Sequence, residues 1–237
     1  MKKTAWITGG SRGIGYGTAE KLLENGYNVV ITGRNQEYLD QAQLQLSSKY
    51  DPDAVLALQS DVRDFSAQQK IAETIIDKYG SIDVLVANAG IGHFANIEDL
   101  TIEQWNQTID INLTGVFYTV KAALPALKKS KGYIFTISSL AGTNFFENGT
   151  AYNASKFGLT GFTQALMLDL RQHDVKTTTI MPGSVATYFN GHTPNETDAW
   201  KIQKEDIGQM IIDLLKMHPR VLPSKIEVRP SKTSQMK

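Results

Sequence analysis

Thr8-Gly9-Gly10-Ser11-Arg12-Gly13-Ile14-Gly15 follows a short apolar run at residues 4–8 and leads into Tyr16-Gly17-Thr18-Ala19-Glu20-Lys21-Leu22-Leu23, which has the periodicity of a helix. Gly9, Gly13 and Gly15 are the informative positions in this stretch. A strand that enters a helix through a turn without Cβ atoms can bend tightly and let another molecule approach its backbone. The free N–H groups of the first helical turn then face that space, which suits an anion such as a pyrophosphate. Placement between the first strand and the first helix separates this turn from an ordinary glycine-rich β–α connection.

Outward from the turn, short β-branched runs alternate with longer helical patterns. The strand candidates are 4–8, 28–32, 55–59, 84–87, 133–137, 176–181 and 226–228. Such alternation predicts an α/β fold, a doubly wound Rossmann-type parallel sheet of about seven strands with helices on both faces. Helix starts are visible in Ser66-Ala67-Gln68-Gln69 and Thr101-Ile102-Glu103-Gln104, where a hydroxyl at the N-cap and a glutamine three residues on can cap each other. Gly26 and Gly80 end helical runs just before a strand, where a left-handed cap is wanted. No linker or repeat divides residues 1–237, so a single domain is expected, with a substrate loop at about 183–204 and a frayed tail at 231–237.

Composition narrows the chemistry. The 237 residues hold 24 Lys+Arg against 24 Asp+Glu and no cysteine, which excludes a disulfide framework, a thiolate nucleophile and a thiolate zinc site. Balanced charge without like-charge runs lacks the footprint for nucleic acid or an anionic membrane, so the expected partner is a small molecule. The apolar start stops at Ile7, too short for a signal peptide, and no stretch is long enough to span a bilayer, so a cytoplasmic address is expected. The four histidines, His93, His173, His192 and His218, have no metal-binding spacing. His93 and His192 are placed either at a substrate entrance or on the surface. Phe94, Phe145, Phe146, Tyr188 and Phe189 fall after strands four to six and suggest an apolar pocket mouth or packing contacts.

The reacting groups sit further on. In Tyr152-Asn153-Ala154-Ser155-Lys156 a spacing of four puts Tyr152 and Lys156 on one helix face. A phenol with an ordinary pKa of about 10 needs a nearby ammonium to work near neutrality, and Lys156 is placed to lower it. Ser138 and Ser139 end the fifth strand, at the edge where open α/β sheets bind ligands. Asn112 interrupts a helical pattern, where it either bends the helix or serves the site.

The spacing G-x-x-x-G-x-G resembles that of the short-chain dehydrogenase/reductase family, and further motifs of the family follow in order: Asp61-Val62, Asn88-Ala89-Gly90 and Pro182-Gly183-Ser184-Val185-Ala186-Thr187. Ala87 stands where the family more often has asparagine. The resemblance covers about residues 3–230. It implies hydride transfer between a nicotinamide cofactor and a ketone, aldehyde or alcohol. Tyr152 is then the acid/base, Ser139 the hydroxyl that holds the carbonyl and Lys156 the partner of phenol and ribose. Asn112 supports a water-linked proton path to Lys156. Cofactor contacts are implied for Gly9, Ser11, Arg12, Gly13, Ile14 and Gly15 in the turn, and for Arg34, Asp61 and Val62 beyond it. They continue through Asn88, Ala89, Gly90, Tyr152 and Lys156 to Pro182, Gly183, Val185 and Thr187. Gly33 occupies the place of an acid that binds the ribose of NAD, while Arg34 and Arg12 suit a 2′-phosphate, so NADP(H) is expected. A 3-oxoacyl-thioester reductase and a non-catalytic dinucleotide-sensing protein are the alternatives. The family also implies a homo-oligomer, dimer or tetramer, built on helices at about 102–127 and 152–171.

Overall fold

The computed structural model of the protein describes residues 2–233. Strand β1 (Thr4–Thr8) lies in the middle of a seven-stranded sheet of order β3-β2-β1-β4-β5-β6-β7, in which every pair is parallel. The other strands are β2 (Asn28–Gly33), β3 (Val55–Gln59), β4 (Val84–Ala87), β5 (Tyr133–Ile137), β6 (Lys176–Pro182) and β7 (Lys225–Val228). Between them run α1 (Gly13–Glu24), α2 (Gln36–Ser47), α3 (Phe65–Tyr79), α4 (Ile102–Ile109), α5 (Gly115–Ser130), α6 (Thr150–Leu170) and α7 (Lys204–Lys216).

Side chains alternate across each strand, and the alternation builds two cores. Ile7, Ile31, Val86 and Phe135 face α1, α2 and α7, where they meet Leu22, Leu39 and Ile211. Trp6, Val30, Leu85 and Ile134 face α3, α5 and α6, where they meet Ile75, Val120 and Leu159. Both faces being covered, the central strands are apolar throughout, as a parallel sheet requires. Each fully buried large side chain contributes roughly 1.5–3 kcal/mol. Strands are added outward in one direction from β1 to β3 and in the other from β4 to β7, and the crevice at the carboxyl ends of β1 and β4 is where such sheets bind ligands.

The Thr101 capping box forms as expected, and Gly26 and Gly80 adopt the left-handed conformation with φ of 80° and 82°. The start of α3 differs. Asp64 caps it, its carboxylate accepting from Ala67 N at 3.1 Å, in place of the expected Ser66. The helix has already begun before Ser66, since Asp64 O accepts from Gln68 N at 3.1 Å, and Ser66 lies inside its first turn. Segment 183–204 is ordered by two short 3₁₀ turns and a bridge between Val185 and Ile202. Of the expected tail, residues 231–233 lack regular structure and 234–237 lie outside the described residues. Among the described residues no helix is long and apolar enough to cross a membrane.

Candidate active site

The glycine turn forms one end of a cleft of about 980 Å³ at the carboxyl edge of the sheet. Gly9 has φ of 64°, and a Cβ there would stand 3.0 Å from Ala89 Cα and from Asn88 Nδ2. That crowding has a cause: Asn88 Nδ2 donates to Thr8 O and Gly9 O, both at 3.0 Å, while Thr8 Oγ1 accepts from the Asn88 and Ala89 amides. The turns after β1 and β4 are thereby locked together. Gly15 lies behind this contact, where a Cβ would come 2.7 Å from Asn88 Nδ2.

Helix α1 begins without a side-chain cap and without an acidic residue in its first turn, whereas Asn35, Asp64 and Thr101 cap α2, α3 and α4. Its first N–H groups are therefore left for an anion at the cleft. Ser11, Arg12, Gly13, Ile14, Arg34 and Val62 line this end, and among the described residues neither arginine pairs with a carboxylate. Gly33 has an ordinary φ, and a Cβ there would find nothing closer than 3.7 Å, so an acid fits sterically where glycine stands. An uncapped helix start with two unpaired cations fits a phosphorylated dinucleotide.

Asp61 behaves differently from its neighbours. It opens into a side recess with Arg34 and does not line the main cleft. Arg63 donates to it from Nη2 at 2.6 Å and from Nε at 3.1 Å, which holds the carboxyl below its usual range. Sequence reading missed Arg63, although a spacing of two in a turn permits such a fork.

At the other end Tyr152, Lys156 and Ser139 line the cleft together. Successive residues point to opposite sides after β5, and this separates the two serines. Ser138 Oγ donates to Lys156 O at 3.2 Å and meets Thr160 Oγ1 at 3.0 Å, so it ties β5 to α6. Ser139 caps a short 3₁₀ turn (Leu140–Gly142), accepting from Ala141 N, and lines the cleft together with the Tyr152 phenol. Asn153, also missed from sequence, donates to Ala141 O and Asn144 O and so fixes the loop that carries Ser139.

Lys156 Nζ donates to Ile137 O at 3.0 Å and stands 5.7 Å from the Tyr152 ring centroid. Burial disfavours the ammonium and lowers it to about 8. The phenol moves opposite to the sequence-based expectation: burial raises it to about 12, and the nearby Ser139 hydroxyl only partly offsets this. Stripping water from a phenolate costs more here than the neighbouring groups return.

Asn112 lies in a π-helical turn (Asp110–Thr114) between α4 and α5 and does not line the cleft. Its Oδ1 accepts from Ile91 N at 2.8 Å, and its Nδ2 donates to Ile91 O and Ser155 Oγ. It thus joins the helix bulge, the loop after β4 and α6. A Cβ at Gly90 would lie 3.3 Å from Asn112 Oδ1 and 3.6 Å from Lys156 Nζ, so the two groups flank that glycine.

Ala89, Gly90, Pro182, Gly183, Val185 and Thr187 line the cleft between its ends. Phe94 and Phe189 pack on Tyr152 with ring centroids at 5.3 and 5.6 Å, and Phe146 touches Phe94 at 5.8 Å. Phe145 instead turns away, 84% exposed and stacked on Phe157. His93 lines the cleft beside Gln107, and His192 lines it while meeting Asp198 at 2.6 Å. Asp198 also pairs with Lys201 and accepts from Asn195 N, which ties segment 183–204 to itself and holds the carboxyl well below its usual range. Among the described residues no three ligating side chains form a metal cluster.

The sequence pattern of the family described as short chain dehydrogenase matches residues 3–198. An uncharacterised oxidoreductase of Staphylococcus aureus strain USA300 is 33% identical over 229 residues, covering 96% of this chain and 97% of that protein. A trans-4-hydroxycyclohexanecarboxylate dehydrogenase of Sinomonas cyclohexanicum is 35% identical over 224 residues, covering 90% of this chain and 85% of that protein. Among solved structures, an alcohol dehydrogenase from Thermococcus sibiricus complexed with 5-hydroxy-NADP superposes with a TM-score of 0.90 at 28% identity, covering 98% of this chain and 97% of that one. The chain belongs to the short-chain dehydrogenase family and is an oxidoreductase.

Proposed function

We propose that the protein interconverts a ketone or aldehyde with the corresponding alcohol, using NADP(H). The observation that carries this reading is the continuity of one cleft. The Tyr152 phenol stands beside Ser139 and Lys156 at one end, and unpaired Arg12 and Arg34 flank the uncapped start of α1 at the other. When bound, the nicotinamide supplies a hydride to the carbonyl carbon or takes one from the alcohol carbon. Tyr152 Oη gives its proton to the carbonyl oxygen in reduction and takes it back in oxidation. Ser139 Oγ donates to that oxygen as negative charge develops. Lys156 holds the ribose hydroxyls and, as a cation, offsets the cost of forming the phenolate. Asn112 fixes the wall beside Lys156 and supports a proton path toward it. Asp61, Val62 and Asn88 shape the adenine and turn regions.

Phe189 on the cleft wall, packed with Phe94 on Tyr152, favours a carbonyl compound with an apolar body over a small hydrophilic one. The intact Ser139, Tyr152 and Lys156 set argues for catalysis over dinucleotide sensing alone. The test is NADPH oxidation with a panel of apolar ketones, diketones and 3-oxoacyl thioesters. NADPH is expected to exceed NADH at least about tenfold in kcat/KM, because charge-assisted hydrogen bonds contribute roughly 1.5–3 kcal/mol each. Gly33→Asp with Arg34→Ala is expected to narrow or reverse that ratio. Preference for NADH in the unaltered protein removes the arginine assignment.

We also assign self-association to the face bearing Trp105, Phe117, Phe157 and Leu168, apolar side chains exposed on α4, α5 and α6. Light scattering is expected to give a dimer or tetramer. A species of 26.2 kDa alone at micromolar concentration rejects the assignment.

A further inference from the structure

The Arg12 guanidinium lies against two aromatic rings contributed by distant parts of the chain. Tyr38, on α2, has its ring centroid 3.8 Å from Arg12 Cζ, and Tyr188, in segment 183–204, has its centroid at 5.2 Å. Both distances are within cation–π range. A guanidinium donates only in its own plane, so a ring that packs on it can leave its hydrogen-bonding edge free, and two such rings limit where that edge can point. Arg12, Tyr38 and Tyr188 all line the cleft, beside Ser11, Arg34 and Asn35. The residue after Tyr188 is Phe189, whose ring packs on Tyr152 at 5.6 Å. Two consecutive residues of one loop thus touch the arginine at the phosphate end and the tyrosine at the reacting end.

We propose that Tyr188 is a positioning residue that, with Tyr38, orients Arg12 for the 2′-phosphate of the dinucleotide, so that binding of this phosphate seats the substrate loop. The inference rests on the NADP(H) reading above. Coupling of this kind is reciprocal: whatever the seated loop adds to phosphate affinity, the phosphate returns to loop seating. The loop carries Phe189 with it, so the same contact brings an aromatic wall against Tyr152.

Adenosine 2′,5′-bisphosphate and adenosine 5′-monophosphate test this directly, since they differ by the one phosphate and neither has a nicotinamide to reach Tyr152. Calorimetry on the full chain is expected to show tighter binding of the bisphosphate. Tyr188→Ala should weaken that binding about three- to tenfold, the scale of one partly desolvated cation–π contact, and leave the monophosphate unchanged. Tyr188→Phe, which keeps the ring, should behave as the unaltered protein. In an Arg12→Ala background Tyr188→Ala should add nothing. In a second measurement, limited proteolysis within 183–204 should be slowed by the bisphosphate in the unaltered protein and not in Tyr188→Ala.

Equal weakening for both nucleotides indicates a merely structural role and rejects the proposal, as does an undiminished Tyr188→Ala effect in the Arg12→Ala background. A 2′-phosphate preference that ignores Tyr188 rejects the clamp while sparing the NADP(H) reading. Equal binding of the two nucleotides by the unaltered protein rejects both.

Discussion

The two ends of the cleft are built from different materials. At the glycine turn the surface is mostly backbone, shaped by positive φ at Gly9 and Gly13 and locked by Asn88 onto Thr8 and Gly9. Around Tyr152 it is side chain, with Phe189 lining the cleft and packed on the phenol ring, which Phe94 also touches. A backbone surface tolerates little variation, because a Cβ at Gly9 already meets Ala89 at 3.0 Å. A wall of rings changes shape with each substitution. Recognition of a constant cofactor suits the first construction, and choice of substrate suits the second.

The largest effect should come at the reacting end. Tyr152→Phe keeps the fold, the rings and the cleft but removes the transferable proton, so kcat should fall about 10²–10⁴-fold with dinucleotide affinity unchanged. Near-normal kcat would assign the proton to another group and dissolve the distinction between the reacting end and its walls.

A smaller effect concerns stability. Burial lowers Lys156 from 10.5 to about 8, so folding works against its charge. That penalty, up to roughly 3 kcal/mol, is fully present below pH 8 and fades as pH rises toward 10.5, where the unfolded chain also loses the proton. Lys156→Met should therefore raise the Tm of the protein without dinucleotide by several degrees at pH 7 and by little near pH 11, while abolishing turnover. A Tm that falls equally at both pH values contradicts a buried, charge-strained lysine.

The smallest effect tests the separation of the two ends. Asp198→Ala releases His192, Lys201 and Asn195, which should loosen 183–204 and raise KM for the carbonyl substrate several-fold. Affinity for adenosine 5′-monophosphate should change by less than about twofold, and any loss for adenosine 2′,5′-bisphosphate should stay below that of Tyr188→Ala, since Arg12, Tyr38 and Tyr188 are all still present. A larger loss for the monophosphate means that the loop supports the adenosine end by contacts other than the one made through Arg12.

What the sequence made legible is what is local. All seven strands, the Thr101 capping box and the Tyr152/Lys156 pair depend on spacings of two to four residues, and each appears where the residues place it. Ser139 was separable from Ser138 only once β5 had a direction and α6 a position. The Asp64 cap was obscured because Ser66 and Gln69 offer a hydroxyl-and-glutamine spacing two residues further on. The Arg12–Tyr188 contact and the burial that raises Tyr152 are products of assembly, and no window of sequence contains them. Asn112 is the intermediate case: its odd place in a helix was visible, but its bonds to Ile91 and Ser155 were not.

The central place of β1 has a consequence for synthesis of the chain. Its first neighbour, β2, is already present when residue 33 has been made, yet its other edge waits for β4, since Ala5 pairs with Val84. At about 5–20 residues per second, that edge stays open for roughly 4–16 s after β1 itself has been made. During this interval Trp6 and Ile7, fully enclosed in the finished protein, belong to an unpaired apolar strand. The segment most completely hidden at the end is thus among the most vulnerable on the ribosome, and a pause before residue 84 prolongs the hazard.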